Sequence, residues 1–178
     1  MKKALISVSD KRGVKKFASD LSDIGMEIIA TEGTANEISQ NGIPVTRVSE
    51  FTGFSEMFGG KIKTLHPAVH AAIATADIAV VVVNLIPITS IERMDLGGIT
   101  LLKSAIKNFK NVAAVTDPGQ YEGVIEEIGS NGDVSAETRL KLAIQASAYI
   151  VDYESRVHKI LEATLGLTAT VVLPTPQM

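Results

Sequence analysis

The sequence predicts an α/β domain, a mostly parallel sheet with helices on both faces. Three observations predict it. Short apolar, partly β-branched runs alternate with segments of helical periodicity along the chain. The best of these runs, "IAVVVV" (Ile78 to Val83), is apolar at every position, the pattern of a strand covered on both faces. The length of 178 residues, 46% of them hydrophobic, suits one domain with a sizeable core.

Taken in order, "KALISV" (Lys3 to Val8) is a short buried strand followed by polar turn residues. Ser9 and Asp10 are expected to cap a helix that buries Val14, Phe17, Ala18 and Leu21 and ends at Gly25. "MEIIAT" is a second strand, "EGTANEISQNG" a turn and short helix, and "PVTRVS" a third strand. Ile78 to Val83 is an interior strand, and "GGITLLKSAIKNF" (Gly97 to Phe109) a helix that begins with two glycines. "NVAAVT" is another strand, and "DPGQYEGVIEEIG" opens with a capping aspartate and a proline at the first helical position. A long helix follows Ser135, with Leu142, Ala146, Tyr149, Tyr153, Val157 and Ile160 recurring every three or four residues. That seam fits either the sheet or a second subunit. The tail "TATVVLPTPQM" alternates too poorly to assign as strand or arm.

Composition excludes several function classes. With no cysteine there is no disulfide, thiol nucleophile or thiolate metal site. A net charge of −3 and the absence of tryptophan argue against a nucleic-acid partner, whose protein surface is usually basic and carries stacking aromatics. No apolar run approaches the ~18 residues needed to span a bilayer. The basic start "MKKALISV" meets Asp10, Lys11 and Arg12 too soon to be a signal peptide. The expectation is a soluble cytoplasmic protein.

Ligands of open α/β sheets bind beyond the carboxyl ends of the strands. The segments that follow strands here are "SVSDKRG", "TEGT" and "NLIP", and "MDLGG" precedes the glycine-led helix. Hydroxyls, glycine and lysine leading into helix starts are the ingredients of a phosphate cradle, because outward N–H groups and the helix dipole favour an anion. Ser7, Ser9, Lys11, Thr31, Gly33 and Thr34 are the candidates. The plain alternative is that Ser9 and Thr34 only cap helices. The stretch "GGKIKTLHPAVH" (Gly59 to His70) concentrates donors as no other segment does. His66 and His70 are four apart, but "HPAVH" lacks the metalloprotease glutamate, Pro67 disfavours helix at His66, and no third ligand stands out; no metal is expected. His66 is expected to orient the loop and His70 to cap or pack. Lys103 and Lys107 share a helical face, on a helix that starts beside Asp95. Lysines and a carboxylate converging on an anion site would supply a base, an oxyanion stabiliser and an acid; the alternative is solvated surface charge.

Together, "SVSDKRG", "ATEGTA", "EMFGGKIKTLHPAVHAAI", "VVVNLIP", "DLGGITLLKSAIKN" and "VTDPGQY" resemble, in order, the inosine monophosphate cyclohydrolase domain of the bifunctional purine-biosynthesis family. The resemblance covers residues 1 to 166 and leaves 167 to 178 as a tail. It implies a methylglyoxal-synthase-like fold, no cofactor, a purine ribonucleotide ligand and a homodimer. It implies that 5-formamidoimidazole-4-carboxamide ribotide is closed to inosine monophosphate. By position, Lys63 corresponds to the lysine at the formyl oxygen, Asp95 to the carboxylate beside the attacking amide, and Lys107 to the proton donor and acceptor. Ser9, Lys11, Thr31, Gly33 and Thr34 fall at the nucleotide-phosphate loops. Asn84, Leu96 and the backbone of Lys61, Ile62 and Thr64 fall near the base.

Three departures accompany the resemblance. Where the family commonly has a tyrosine, "NLIP" has Ile86, which donates no hydrogen bond; losing one oxyanion donor typically costs about 10²–10³ in rate. The second phosphate loop carries Glu32 in place of glycine. The segments from His70 to Ile78 and from Pro87 to Asp95 are shorter than in most members. No formyltransferase half follows in these residues, so a separate formyl-transferring or formyl-ligating enzyme is expected to supply the substrate. The rival expectation is a regulatory module of the same fold, since "ATEGTA" also resembles the allosteric domain of carbamoyl phosphate synthetase. Methylglyoxal synthase itself fits less well, because "KTLHP" has no place there.

Overall fold

A computed structural model describes residues 2–40, 42–54 and 63–165. Five strands form one wholly parallel sheet in the order β3-β2-β1-β4-β5: β1 (Lys3–Val8), β2 (Glu27–Ala30), β3 (Thr46–Arg47), β4 (Ile78–Asn84) and β5 (Ala113–Val115). The order reverses between β1 and β4, the switch point where such sheets open a crevice for ligands. Their register sets Ser7 against Val83 and Val8 against Asn84, so both strands end level at that crevice.

Alternate strand residues feed two cores. Ala4, Ile6, Val80, Val82 and Val115 pack under α1 (Val14–Asp23) and α6 (Tyr121–Asn131). Leu5, Val81, Val83 and Ala114 pack under α5 (Leu96–Lys107) and α7 (Ala136–Leu165). Every residue of β4 is buried, as its unbroken apolar run predicts. The seam of α7 covers the sheet: Leu142, Ala146, Tyr153 and Val157 are buried, and the helix packs on β5 and α5. Its outer face leaves Leu140, Ile144, Val151 and Leu161 exposed.

Two expectations are corrected. Ser9 and Asp10 do not cap α1; Gly13 does, with φ of 69°, a left-handed conformation that suits glycine. The third strand is only Thr46–Arg47, and α3 (Val48–Thr52) begins at once. Glu50 accepts the Arg47 N–H at 3.0 Å, so the carboxylate ends the strand by supplying a helix cap that alternation alone hides. The tail from 167 lies outside the described residues. Among the described residues no helix is long and apolar enough to cross a membrane.

Candidate functional site

The ends of β1 and β2 bring one cluster together. Thr34, wholly buried on α2 (Glu32–Ser39), accepts the Val8 N–H at 3.3 Å and the Lys11 ammonium at 2.8 Å. Lys11 also donates to the Val8 carbonyl. Thr31 lies 3.4 Å from both the Ser7 and Thr34 hydroxyls. Neither Ser9 nor Thr34 caps a helix: α2 begins after Thr31, whose side chain makes no cap bond, and Thr34 sits one turn in. Burial pushes the Lys11 ammonium below its ordinary range, and Glu37 opposes this more weakly. Among the described residues no carboxylate forms an ion pair with Lys11, and its ammonium is held by two neutral oxygens, the Val8 carbonyl and the Thr34 hydroxyl. A side chain at Gly33 would meet nothing within 4 Å, which leaves open space over the start of α2. Hydroxyls, an ammonium and open space beside a helix start are the elements an anion cradle requires.

Asn84 organises the neighbouring loop. Its Oδ1 accepts the Ser9 and Asp10 N–H groups at 2.6 and 2.7 Å, and its Nδ2 donates to the Asp10 carbonyl at 3.1 Å. The side chain predicted to lie near a base is thus committed mainly to shaping the loop after β1. The Ser9 side chain stays exposed.

The start of α5 is the third part. Asp95 caps it: Oδ1 accepts the Gly98 N–H at 2.8 Å, and Oδ2 accepts the Ile86 N–H at 3.1 Å. Thr64, buried, is seated on Gly97 so closely that a Cβ there would collide with its hydroxyl. The 3-10 turn Lys63–Leu65 is therefore brought to the helix start that Asp95 caps. Lys61 and Ile62 lie outside the described residues. Leu96 is 50% exposed at the same corner. The histidines divide their work: His66 Nδ1 accepts the Ala68 N–H at the start of α4 (Pro67–Ala74), and His70 Nδ1 meets the Ser104 hydroxyl at 2.7 Å.

Lys107 does not join them within one chain. It is the last residue of α5, and its twelve-residue separation from Asp95 corresponds to about 18 Å along a helix axis. The expected convergence of the helix lysines on the cleft fails because a helix carries them away from its own start. Lys103 instead lies 3.5 Å from Glu154 of α7 on the surface.

Residues 13–112 match the MGS-like domain, and residues 105–175 match the AICARFT/IMPCHase bienzyme. The chain belongs to the MGS-like domain family. The chain is 38% identical to the bifunctional purine biosynthesis protein PurH of Ruminiclostridium cellulolyticum, over 93% of its own length and 38% of the relative. PurH of Persephonella marina matches with the same identity and coverage. The chain thus spans about two fifths of the length of these curated relatives. The alignments run over 194 and 193 residues, longer than the chain itself, so the relatives carry segments that this chain lacks. The crystal structure of ForH superposes with a TM-score of 0.80 at 29% identity, covering 90% of this chain and 98% of that one.

The chain also uses two residues that pattern reading took only as seam. The Leu85 N–H donates to the Tyr149 hydroxyl and the Asp95 N–H to the Tyr153 hydroxyl, each at 2.9 Å. The available signal was a pair of phenols, one turn apart, in an otherwise aliphatic seam, since a buried tyrosine hydroxyl needs a partner. Tyr149 also lines a cavity of about 460 Å³ with Ser9, Asn84, Leu85 and Thr116, at the carboxyl ends of β1, β4 and β5.

Proposed function

We propose that this domain closes 5-formamidoimidazole-4-carboxamide ribotide to inosine monophosphate with loss of water. One observation carries the proposal: Thr64 seated on Gly97 joins the Lys63 turn to the Asp95 cap, on the sheet edge that also holds the Lys11, Thr31 and Thr34 cluster. Three segments distant in sequence thereby offer an anion cradle, a carboxylate and a lysine-bearing turn to one ligand. The relation to purine-biosynthesis proteins supports a purine nucleotide as that ligand.

In this proposal Ser7, Ser9, Lys11, Thr31, Gly33 and Thr34 hold the phosphate, and Lys61 to Thr64, Asn84 and Leu96 line the base. The carboxamide nitrogen attacks the formyl carbon, forming the new C–N bond. One hydrogen leaves that nitrogen and one leaves the formamide nitrogen, and both depart with the formyl oxygen as water. Each Asp95 oxygen accepts one backbone N–H and keeps a lone pair, so the carboxylate stays available to the amide proton while its orientation is set. Lys63 stabilises the oxyanion that develops on the formyl oxygen. The substrate is small and anionic, the active unit is residues 1–166, and the protein works in the cytoplasm.

Lys107 enters only if a second chain supplies it. The exposed apolar residues on the outer face of α7 support a homodimer. In that arrangement, mixing Lys107→Ala with Asp95→Asn chains should restore about a quarter of wild-type activity, because half of the dimers are hybrids with one intact site. No restoration refutes the shared site.

The test of the activity is direct. Purified protein is given the formylated ribotide and inosine monophosphate is followed by absorbance, with Lys63→Ala and Asp95→Asn alongside. Turnover above the uncatalysed rate, lost in both variants, is expected. A second reading, an effector-binding module without turnover, is favoured by Ile86, which puts a 39% exposed apolar side chain at this corner. Binding of inosine monophosphate with no turnover would establish that reading and overturn the first.

A further inference from the structure

The connection from Leu85 to Asp95 carries the carboxylate proposed to act on the substrate, and much of it is irregular: six residues, 85–90, without helix or strand, then a short 3-10 turn at Ile91–Arg93. Irregular chain is a poor platform for a group that must be held to a fraction of an ångström. The neck of this connection, however, is closed by side chains. The Leu85 N–H at its start donates to the Tyr149 hydroxyl, and the Asp95 N–H at its end donates to the Tyr153 hydroxyl, both at 2.9 Å. Between them the Ile86 N–H donates to Asp95 Oδ2 at 3.1 Å, which ties one end to the other.

We infer that Tyr149 and Tyr153 are positioning residues for the Asp95 carboxylate, two phenols one helical turn apart that refer both ends of the 85–95 connection to the rigid helix α7. Four observations support it. First, the phenols meet backbone N–H groups, which phenylalanine would fill against equally well but leave unsatisfied; the hydroxyl, not the ring, is what the position requires. Second, the spacing matches: residues four apart on a helix lie one above the other, and the two amides they hold flank a single connection. Third, α7 is anchored independently of the loop, through Ala146, Ile150 and Val157 in the core against β5 and α5. Fourth, Asp95 is constrained at three atoms, its amide by Tyr153 and its two oxygens by Gly98 and Ile86, so releasing the amide frees the residue to pivot on its cap. Burial pushes both phenols above their ordinary range, so they remain protonated acceptors at neutral pH.

This inference rests on the proposed cyclohydrolase reading for its effect on rate, and its test separates the two. Tyr153→Phe and Tyr149→Phe are made in the full chain, alone and combined with Asp95→Asn. Tyr153→Phe is expected to lower kcat about tenfold, the consequence of one lost buried hydrogen bond at a reacting group, with the Kd for inosine monophosphate changed less than about twofold. In the Asp95→Asn background the same substitution should cost nothing further, because a residue acting only through Asp95 has nothing left to position. An equal loss in both backgrounds, or an unchanged kcat in the first, overturns the inference. A readout independent of turnover is amide hydrogen exchange. Tyr153→Phe should speed exchange at Asp95, and Tyr149→Phe at Leu85, with β4 unaffected. If the wild-type chain does not turn over the ribotide, or Asp95→Asn leaves no measurable rate, exchange alone decides, and unchanged protection at both amides overturns the positioning role.

Discussion

Gly98→Ala tests the site most sharply, because the added methyl lands on the proposed base. A Cβ at Gly98 would lie 2.7 Å from Asp95 Oδ2, 2.7 Å from Leu85 Cδ2 and 2.9 Å from Asp95 Cγ. Non-bonded carbon contacts settle near 3.5–4.0 Å, so something must move by about 1 Å. Leu85 is buried and its N–H is tied to Tyr149, which leaves the carboxylate to yield. Two energies oppose each other. Alanine in place of a helical glycine gains about 0.5–1 kcal/mol, whereas overpacking costs about 1–3 kcal/mol. The net loss is at most about 2.5 kcal/mol, and at roughly 2–4 °C per kcal/mol for a chain of this size the Tm falls by no more than about 10 °C. Activity should fall much further, because misplacing a reacting group by about 1 Å costs on the order of 100-fold. The assay pairs thermal unfolding with initial rates on the formylated ribotide, at a temperature where the variant is fully folded. Gly129→Ala is the control: it lies in helix α6 with nothing within 4 Å, so it should be neutral or slightly stabilising and fully active. A Gly98→Ala chain that is folded and within twofold of wild-type rate would refute the placement of Asp95 at the reacting groups.

Three further outcomes are expected. Asn84→Ala leaves the Asp10 amide without its acceptor and the Ser9 amide with only the residue-84 carbonyl at 3.3 Å, and should cost about 1–3 kcal/mol, seen as a fall in Tm of roughly 2–12 °C; a shift under 2 °C, on the same scale, would mean the loop is held elsewhere. Lys11→Met should weaken inosine monophosphate binding by at least about tenfold in calorimetry. Because burial holds the wild-type ammonium below its ordinary value of 10.5, wild-type affinity should decline with rising pH earlier than an ordinary lysine would allow. The Glu127 carboxylate is held below its usual range by the Thr138 hydroxyl and then the Ser135 N–H at the start of α7. A depressed carboxylate contributes stability above its unfolded value near 4.5 that is lost as pH falls through the folded value. Glu127→Gln should therefore flatten the acid limb of the stability curve, and an identical limb in both chains would count against this pairing.

Much of the architecture was legible in the one-dimensional pattern. The all-apolar run of β4, the 3.6-residue seam of α7 and the proline-led start at Asp117 are local consequences of burial and backbone sterics, so they are present in any window that contains them. The brevity of β3 was hidden because alternation at 44–49 ignores a carboxylate three residues on. That Lys11, Thr31 and Thr34 are polar residues following strands was legible in their types; that Thr34 sits one turn inside α2 was not.

The sequence by itself determined the fold class, the strands that end at the ligand edge, and the kinds of side chain offered there. Only the tertiary structure decided which of them meet. Helix geometry separates Lys107 from Asp95, although both stand in one motif, because a rigid rod spends about 1.5 Å per residue whatever its sequence. Packing joins Thr64 to Gly97 and Tyr153 to Asp95 across long stretches of chain, because parallel strands force their connections to one edge and α7 folds back across it. Pattern reports which face a residue buries; the partner it meets depends on crossover topology, which no local window contains.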